Sequence, residues 1–147
     1  MKATRFNTRT KNIFTGIFTI VIVFLFISCA TNIRFLSSSV VPGAQGDVKV
    51  KMDKNKNYAI QIEISDLADA TRLQPSKRTY VVWMVTDQDI TKNIGQLNST
   101  TSFFSKRHEA SLKTVSSFKP AKIFITAEDE ESIQYPGAQV VLSTDKF

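Results

Sequence analysis

The sequence predicts an all-β fold, a single antiparallel β-sandwich of immunoglobulin-like type with about seven strands. Two observations predict it. From residue 46 onward, apolar and polar side chains alternate with a period of two, and short polar stretches separate the alternating segments. No part of the chain shows a convincing helical period. About seven short strands in about 100 residues are typical of two packed antiparallel sheets.

The first two predicted strands form a hairpin. In DVKVKMD (47–53) apolar side chains alternate with lysines, and in NYAIQIEIS (57–65) they alternate with Ala59, Gln61 and Glu63. The polar residues 53–57 join the two segments as a turn. Alternation of this kind indicates that one face of the hairpin is buried and the other is in water.

The remaining strands follow a more apolar segment. TYVVWMVT (79–86) is apolar on both faces, which predicts a central strand. Shorter candidates lie around 93–97 and 110–115, and AKIFITAE (121–128) and AQVVLST (138–144) close the chain. Trp83, the only tryptophan, lies in the most apolar strand. We interpret it as an anchor of the core, with a ligand platform as the alternative.

The first 28 residues have the three parts of a signal peptide. Residues 1–12 are positively charged, residues 13–27 are mostly apolar, and the small residue Ser28 precedes Cys29. The apolar run is shorter than the roughly 20 residues that a membrane-spanning helix needs. Cys29 is the only cysteine, so it has no partner for an internal disulfide. An uncleaved N-terminal anchor, with Cys29 as a bystander at the membrane edge, is the alternative.

The sequence Phe26-Ile27-Ser28-Cys29 resembles a bacterial lipobox. The resemblance implies that the Cys29 thiol carries a diacylglyceryl group and that cleavage falls between Ser28 and Cys29. The new amine then takes a further fatty acid, such as palmitate. More than one acyl chain gives stable attachment to a membrane. In Gram-negative lipoproteins an Asp after the cysteine favours the inner membrane. Ala30 stands there, which favours the outer membrane, facing the periplasm.

Three segments follow from these patterns. They are a lipoprotein signal peptide over 1–28, a lipidated cysteine with a flexible tether over 29–45, and the β-sandwich over 46–147. The tether is predicted from three consecutive serines and from Pro42-Gly43, a turn signal. Whether Ile33 to Leu36 lie on the lipid surface or form a short edge strand stays open.

The basic charge of the chain belongs largely to the leader. The chain has 19 basic and 13 acidic residues, and four of the basic residues lie in the first 28. The remaining 15 basic and 13 acidic side chains give a net charge of +2. A nucleic-acid partner therefore loses its main support.

The residues most used in catalysis are scarce. His108 is the only histidine and stands among charged residues in SKRHEAS, so we expect it to be exposed and inert. A Ser-His-Asp triad, a copper site with two histidines and a tetrahedral zinc site all need more such residues. We therefore predict a protein that is not an enzyme and has no cofactor or metal.

One run of consecutive acidic residues is the weak candidate for a cation site: Glu128, Asp129, Glu130 and Glu131. Carboxylates bind calcium, but consecutive side chains of an extended chain point in opposite directions. We interpret the run as a solvated turn whose charges suppress edge pairing. A third possibility is a rim of ion pairs, worth at most about 1 kcal/mol each, with Arg72, Lys77, Arg78, Lys106 and Arg107 at one end of the sandwich.

The segments YVVWMVTDQDITKNIGQL and FKPAKIFITAEDEESIQYPGAQVVLST resemble the extracytoplasmic domain of bacterial anti-sigma-K factors. The residues that carry the resemblance are Trp83, Gly95, Thr126, Glu128, Pro136 and Gly137. The resemblance implies a β-sandwich in the cell envelope. It does not imply sigma binding, because those factors bind sigma through a helical segment before a membrane helix, and only 12 residues precede the apolar run here.

The whole chain also looks like small envelope lipoproteins of Bacteroidetes-type bacteria. We therefore expect a lipid-anchored, non-enzymatic β-sandwich of the cell envelope that binds or spaces a partner. Its expected partners are the membrane, through the N-terminal lipid, and an envelope protein. A regulatory or sensory component, analogous to the outside domains of anti-sigma factors, is the alternative.

Overall fold

The computed structural model describes residues 31–101 and 108–147, without the side chains of 99–101 and 108. Nine β-strands and one short 3-10 helix, Ala70–Arg72, form the described part of the chain. The strands are β1 (Thr31–Arg34), β2 (Gln45–Met52), β3 (Tyr58–Ser65), β4 (Thr79–Thr86), β5 (Thr91–Gln96), β6 (Asn98–Thr101), β7 (His108–Ser116), β8 (Pro120–Glu128) and β9 (Val140–Ser143).

The strands form two antiparallel sheets, with the orders β1-β2-β3-β7-β6 and β5-β4-β8-β9. Without β1, the first order is the A-B-E-D sheet of the immunoglobulin fold, and the second is its C′-C-F-G sheet. The prediction of an all-β, immunoglobulin-like sandwich is confirmed. The seven predicted strands are all present, and β1 and β6 are additional.

The core lies between the two sheets. Alternate residues of each strand point inward, as the period of two requires. The largest contributions from the first sheet are Val48, Ile60 and Ile62, and those from the second are Val82, Met84, Ile123, Ile125 and Leu142. Burial of each such side chain stabilises the fold by about 1.5–3 kcal/mol.

The segment before β2 is part of the sandwich, in contrast to the flexible tether expected over 29–45. Strand β1 pairs with β2 at the edge of the first sheet. The chain then crosses to the second sheet, where the Leu36 amide donates to the Ser143 carbonyl at 2.8 Å. The Ser38 hydroxyl donates to the Val141 carbonyl. The open question about residues 33–36 is thus answered by an edge strand that continues into a crossing between sheets.

The strand registers define two halves of the sandwich. The proximal half contains the start of β1, the β2–β3 hairpin, the β4–β5 turn and the β7–β8 connection, because Thr31 pairs with Val50 and Thr86 pairs with Pro120. The distal half contains the connections 66–78 and 129–139. The dividing line lies between Val48 and Lys49 on β2, and between Val82 and Trp83 on β4.

Candidate functional site

The sequence-predicted side chains that the structure describes lie around the second sheet. Trp83 is fully buried, but it is on the opposite face of β4 from the core residues Val82 and Met84. It therefore anchors the outer face of the sheet and does not lie between the sheets. Residues 128–131 follow on the neighbouring strand, at the end of β8 and in the connection to β9.

Trp83 is held by two neighbours on β8. Its indole Nε1 donates to the Thr126 hydroxyl at 2.8 Å, and both side chains are fully buried. The Trp83 ring stacks on Phe124, with centroids 6.3 Å apart and planes at 15°. The hydrogen bond satisfies the one polar atom of the indole, so it costs little to bury.

The β8–β9 connection, residues 129–139, folds back over this outer face, and we call it the strap. Asn93, which pairs with Trp83 across β5 and β4, donates through Nδ2 to the carbonyls of Glu131 and Ile133 at 2.9 and 3.1 Å. Asn93 Oδ1 accepts from the Gly95 amide at 3.0 Å. Asn93 therefore couples the strap to the sheet directly beside the tryptophan.

Gly95 lies at a β-bulge that opens between Val82 and Trp83. Its φ of +128° is a conformation that residues with a side chain rarely adopt. The bulge lets the Asn93 side chain bond both the Gly95 amide and the strap, which explains a glycine at this position.

Glu128 fixes the base of the strap. It is only 7% exposed, and its Oε1 accepts from the Gly137 amide at 2.7 Å. A Cβ atom on Gly137 would lie 2.7 Å from Glu128 Oε2, so the close approach depends on glycine. Glu128 is thus a buried structural acceptor, which differs from the solvated turn expected for the whole acidic run.

The other three acidic residues, Asp129 to Glu131, are exposed, as a solvated turn requires. Asp129 pairs with Lys77 at 2.7 Å, which is one contact of the expected mixed-charge rim. The four carboxylates of the run do not converge. Over 31–101 and 108–147, no group of three or more His, Cys, Asp or Glu residues could hold a metal ion. A shallow cleft of about 370 Å³ adjoins this rim, with both charge signs in its lining.

Tyr80 connects the distal half of the core to the connection 66–78. Its hydroxyl donates to the Ala68 carbonyl at 2.8 Å. Burial, with a smaller contribution from the negative charge of Asp69, raises the pKa of Tyr80 to about 12. On the wet face of β3, hydrogen bonds from Gln61 and Lys49 and the charge of Lys49 lower the pKa of Glu63.

For the remaining residues singled out in the sequence, the structure describes no side chain. Cys29, Ser28, Lys106 and Arg107 fall outside the described residues, and nothing is described of the His108 side chain. In the part of the chain with described coordinates, no helix has the length and apolar character needed to cross a bilayer.

The six residues on which the expected resemblance to anti-sigma-K outside domains rests lie close to the outer face of the second sheet. Trp83 bonds Thr126, Glu128 bonds Gly137, Gly95 forms the bulge beside Trp83, and Pro136 belongs to the strap. The residue that the sequence reasoning missed is Asn93. A signal was available, because a glycine inside a strand suggests a β-bulge, and an Asn side chain often bonds the backbone two residues further on.

No protein-family model matches the chain, and no curated protein and no solved structure is significantly similar to it.

Proposed function

We propose that this chain is a lipid-anchored, non-enzymatic domain of the bacterial cell envelope that serves as a binding or structural module. The observation that carries the proposal is the position of β1. Strand β1 begins at Thr31, two residues after the only cysteine, which itself follows an apolar run of signal-peptide length. A folded domain that begins directly after Cys29 suits a role held at a membrane surface.

The buried polar side chains support a structural use of this fold. Trp83 and Thr126 bond each other, Glu128 bonds the strap, and Ser38 bonds β9. These groups are engaged within the domain, so recognition of a partner falls to exposed features. The exposed candidates are the strap, with Tyr135 80% exposed, and the outer edges of β5 and β6, on which no further strand of the described residues pairs. With Ala30 after the cysteine, the outer membrane facing the periplasm is the proposed location in a Gram-negative cell.

Metabolic labelling with a fatty acid tests the anchor. In the wild-type chain we expect label on the processed protein, and in Cys29→Ala we expect an uncleaved precursor without label. Ser37→Ala is the matched control, because Ser37 is exposed and eight residues downstream. Normal processing and labelling of Cys29→Ala would refute the lipid anchor.

A regulatory component of the envelope is the second candidate. It is favoured because the residues on which the resemblance to anti-sigma-K outside domains rests lie near one another on the outer face of the second sheet. These residues are Trp83, Gly95, Thr126, Glu128, Pro136 and Gly137. Cross-linking and pull-down from the protein's own membranes tests it. Recovery of a membrane-bound regulator that is lost in Asn93→Ala would support this candidate, and recovery of structural envelope proteins alone would contradict it.

A further inference from the structure

We propose that the proximal end of the sandwich lies against the membrane and contacts anionic lipid headgroups, so that the domain stands end-on with the strap and the acidic rim away from the bilayer. This inference rests on the proposed lipid anchor and adds the contact surface and the chemistry of the lipid. Three independent features of the described residues point to the same end.

The first feature is the reach of the chain. Thr31 is the second residue after Cys29, and an extended chain spans at most about 3.6 Å per residue. The start of β1 therefore lies within about 7 Å of the acylated cysteine. Because β1 is paired with β2 from Thr31 onward, the attachment point lies close to the end of the sandwich at which β1 starts.

The second feature is the distribution of charge. The proximal half contains nine lysines and four aspartates, which gives a net side-chain charge of +5. The lysines are Lys49, Lys51, Lys54, Lys56, Lys92, Lys113, Lys119, Lys122 and Lys146. The distal half contains nine acidic and four basic side chains, which gives a net side-chain charge of −5. Counting Lys106 and Arg107 with the distal half would still leave it at −3. An anionic surface attracts the proximal half and repels the distal half.

The third feature is the position of exposed apolar side chains. Eight large apolar residues are exposed among the described residues, and five of them belong to the proximal half: Met52, Ile90, Val115, Phe118 and Phe147. Met52 is 57% exposed and flanks the β2–β3 hairpin. The Lys92 ammonium lies 4.2 Å from the centre of the Phe118 ring. Aromatic rings beside lysines are typical of surfaces that enter the headgroup layer.

Fluorescence quenching by lipids with brominated acyl chains tests this orientation. The acylated protein is purified from the membranes of a bacterial host and reconstituted in vesicles that contain phosphatidylglycerol. Phe118→Trp places a reporter at the proximal end, and Tyr135→Trp places one on the strap. We expect brominated lipids to reduce the emission of Phe118→Trp. Wild type and Tyr135→Trp should lose little, because Trp83 is buried in the fold.

Charge reversal tests the headgroup contact. Lys54→Glu with Lys119→Glu should reduce the quenching of the Phe118→Trp reporter. The matched pair Arg72→Glu with Arg78→Glu, in the distal half, should leave it unchanged. All four side chains are exposed. In phosphatidylcholine vesicles the lysine pair should have a smaller effect, because the attraction to anionic headgroups is absent.

Flotation with phosphatidylcholine vesicles separates the two proposals. A protein that does not float lacks the anchor, and both proposals then fail together. If it floats but Tyr135→Trp is quenched as much as Phe118→Trp, the anchor stands and the end-on orientation is wrong. Equal effects of the lysine and arginine reversals would contradict the role of the proximal charge.

Discussion

Substitution of Trp83 tests how much the contacts on the outer face of the second sheet contribute to stability. Trp83→Ala removes a fully buried side chain that stacks on Phe124 and bonds Thr126. Emptying a buried tryptophan site costs about 3–5 kcal/mol of unfolding free energy. Tyr135→Ala is the matched control, because Tyr135 is an aromatic side chain of the strap that is 80% exposed. Its loss should change stability by less than about 0.5 kcal/mol.

A double-mutant cycle isolates the indole hydrogen bond. Thr126→Val keeps the shape but leaves the Trp83 N–H without its 2.8 Å acceptor, which costs about 1–3 kcal/mol for a buried donor. Trp83→Phe removes the donor instead. In the double variant neither polar group remains. Its loss of unfolding free energy should therefore be smaller than the sum of the two single losses by about 0.5–3 kcal/mol.

Urea unfolding followed by far-UV circular dichroism measures these differences, since fluorescence is lost with the tryptophan. A cost of Trp83→Ala below about 1 kcal/mol would show that the ring contributes little to the fold. That result would revive the ligand-platform interpretation. Strict additivity in the cycle would mean that the hydrogen bond has no energetic coupling of its own.

Four further predictions concern the strap, the core and the N-terminal segment. Glu128→Ala should cost about 1–3 kcal/mol, because the part-buried Gly137 amide loses its acceptor. Neutralising 129–131 to Asn and Gln should change stability by less than about 0.5 kcal/mol, with no calcium-dependent shift of the wild-type melting temperature; a shift that the neutralised variant lacks would contradict the solvated turn. Burial raises the folded-state pKa of Tyr80 to about 12, whereas the unfolded pKa is about 10. The buried neutral phenol therefore contributes its full stability below pH of about 10, and this contribution is lost as the pH rises from about 10 to about 12. Tyr80→Phe should flatten that loss in urea midpoints, and an unchanged alkaline slope would count against it. A chain that begins at Gly46 should melt below one that begins at Ala30, because it lacks β1 and the bonds to β9; equal melting would restore the flexible tether.

The strands with strict alternation were predictable from the sequence. In β2 and β3 the period of two separates a buried face from a wet one, and the structure buries Val48, Ile60 and Ile62 accordingly. TYVVWMVT was predicted as a central strand because it is apolar on both faces, and β4 lies between β5 and β8. Local patterns sufficed here because a strand with one buried face has alternating apolar residues, and a strand buried on both faces is apolar throughout.

The face of Trp83 was not predictable in the same way. A strand that is apolar on both faces does not reveal which face meets the other sheet. The difference is made by the strap, a connection without regular structure whose return across the sheet depends on Asn93 and on Glu128. Consecutive carboxylates look solvated in sequence, and only the fold shows that one of them is the acceptor for a glycine amide nine residues later.

The N-terminal segment was also beyond local patterns. Serines and Pro-Gly are typical of linkers, yet Ser38 is buried, because its hydroxyl serves as donor to β9 and as acceptor for the Val41 amide at 2.9 Å. Long-range pairing across more than 100 residues leaves no periodic signal. The four residues of β1 are also too few for alternation to be recognised.

The crossing of the N-terminal segment from one sheet to the other also determines how the domain would carry a mechanical load. A pull on Thr31, directed away from the distal connections, acts along the axis of β1. The β1–β2 hydrogen bonds are then strained together in shear, and none is opened alone as in peeling. Behind them, the bonds from Leu36 and Ser38 to β9 transfer the force to the second sheet. We expect a higher rupture force for this direction than for a pull perpendicular to β1 in single-molecule stretching, and equal forces would contradict this geometry.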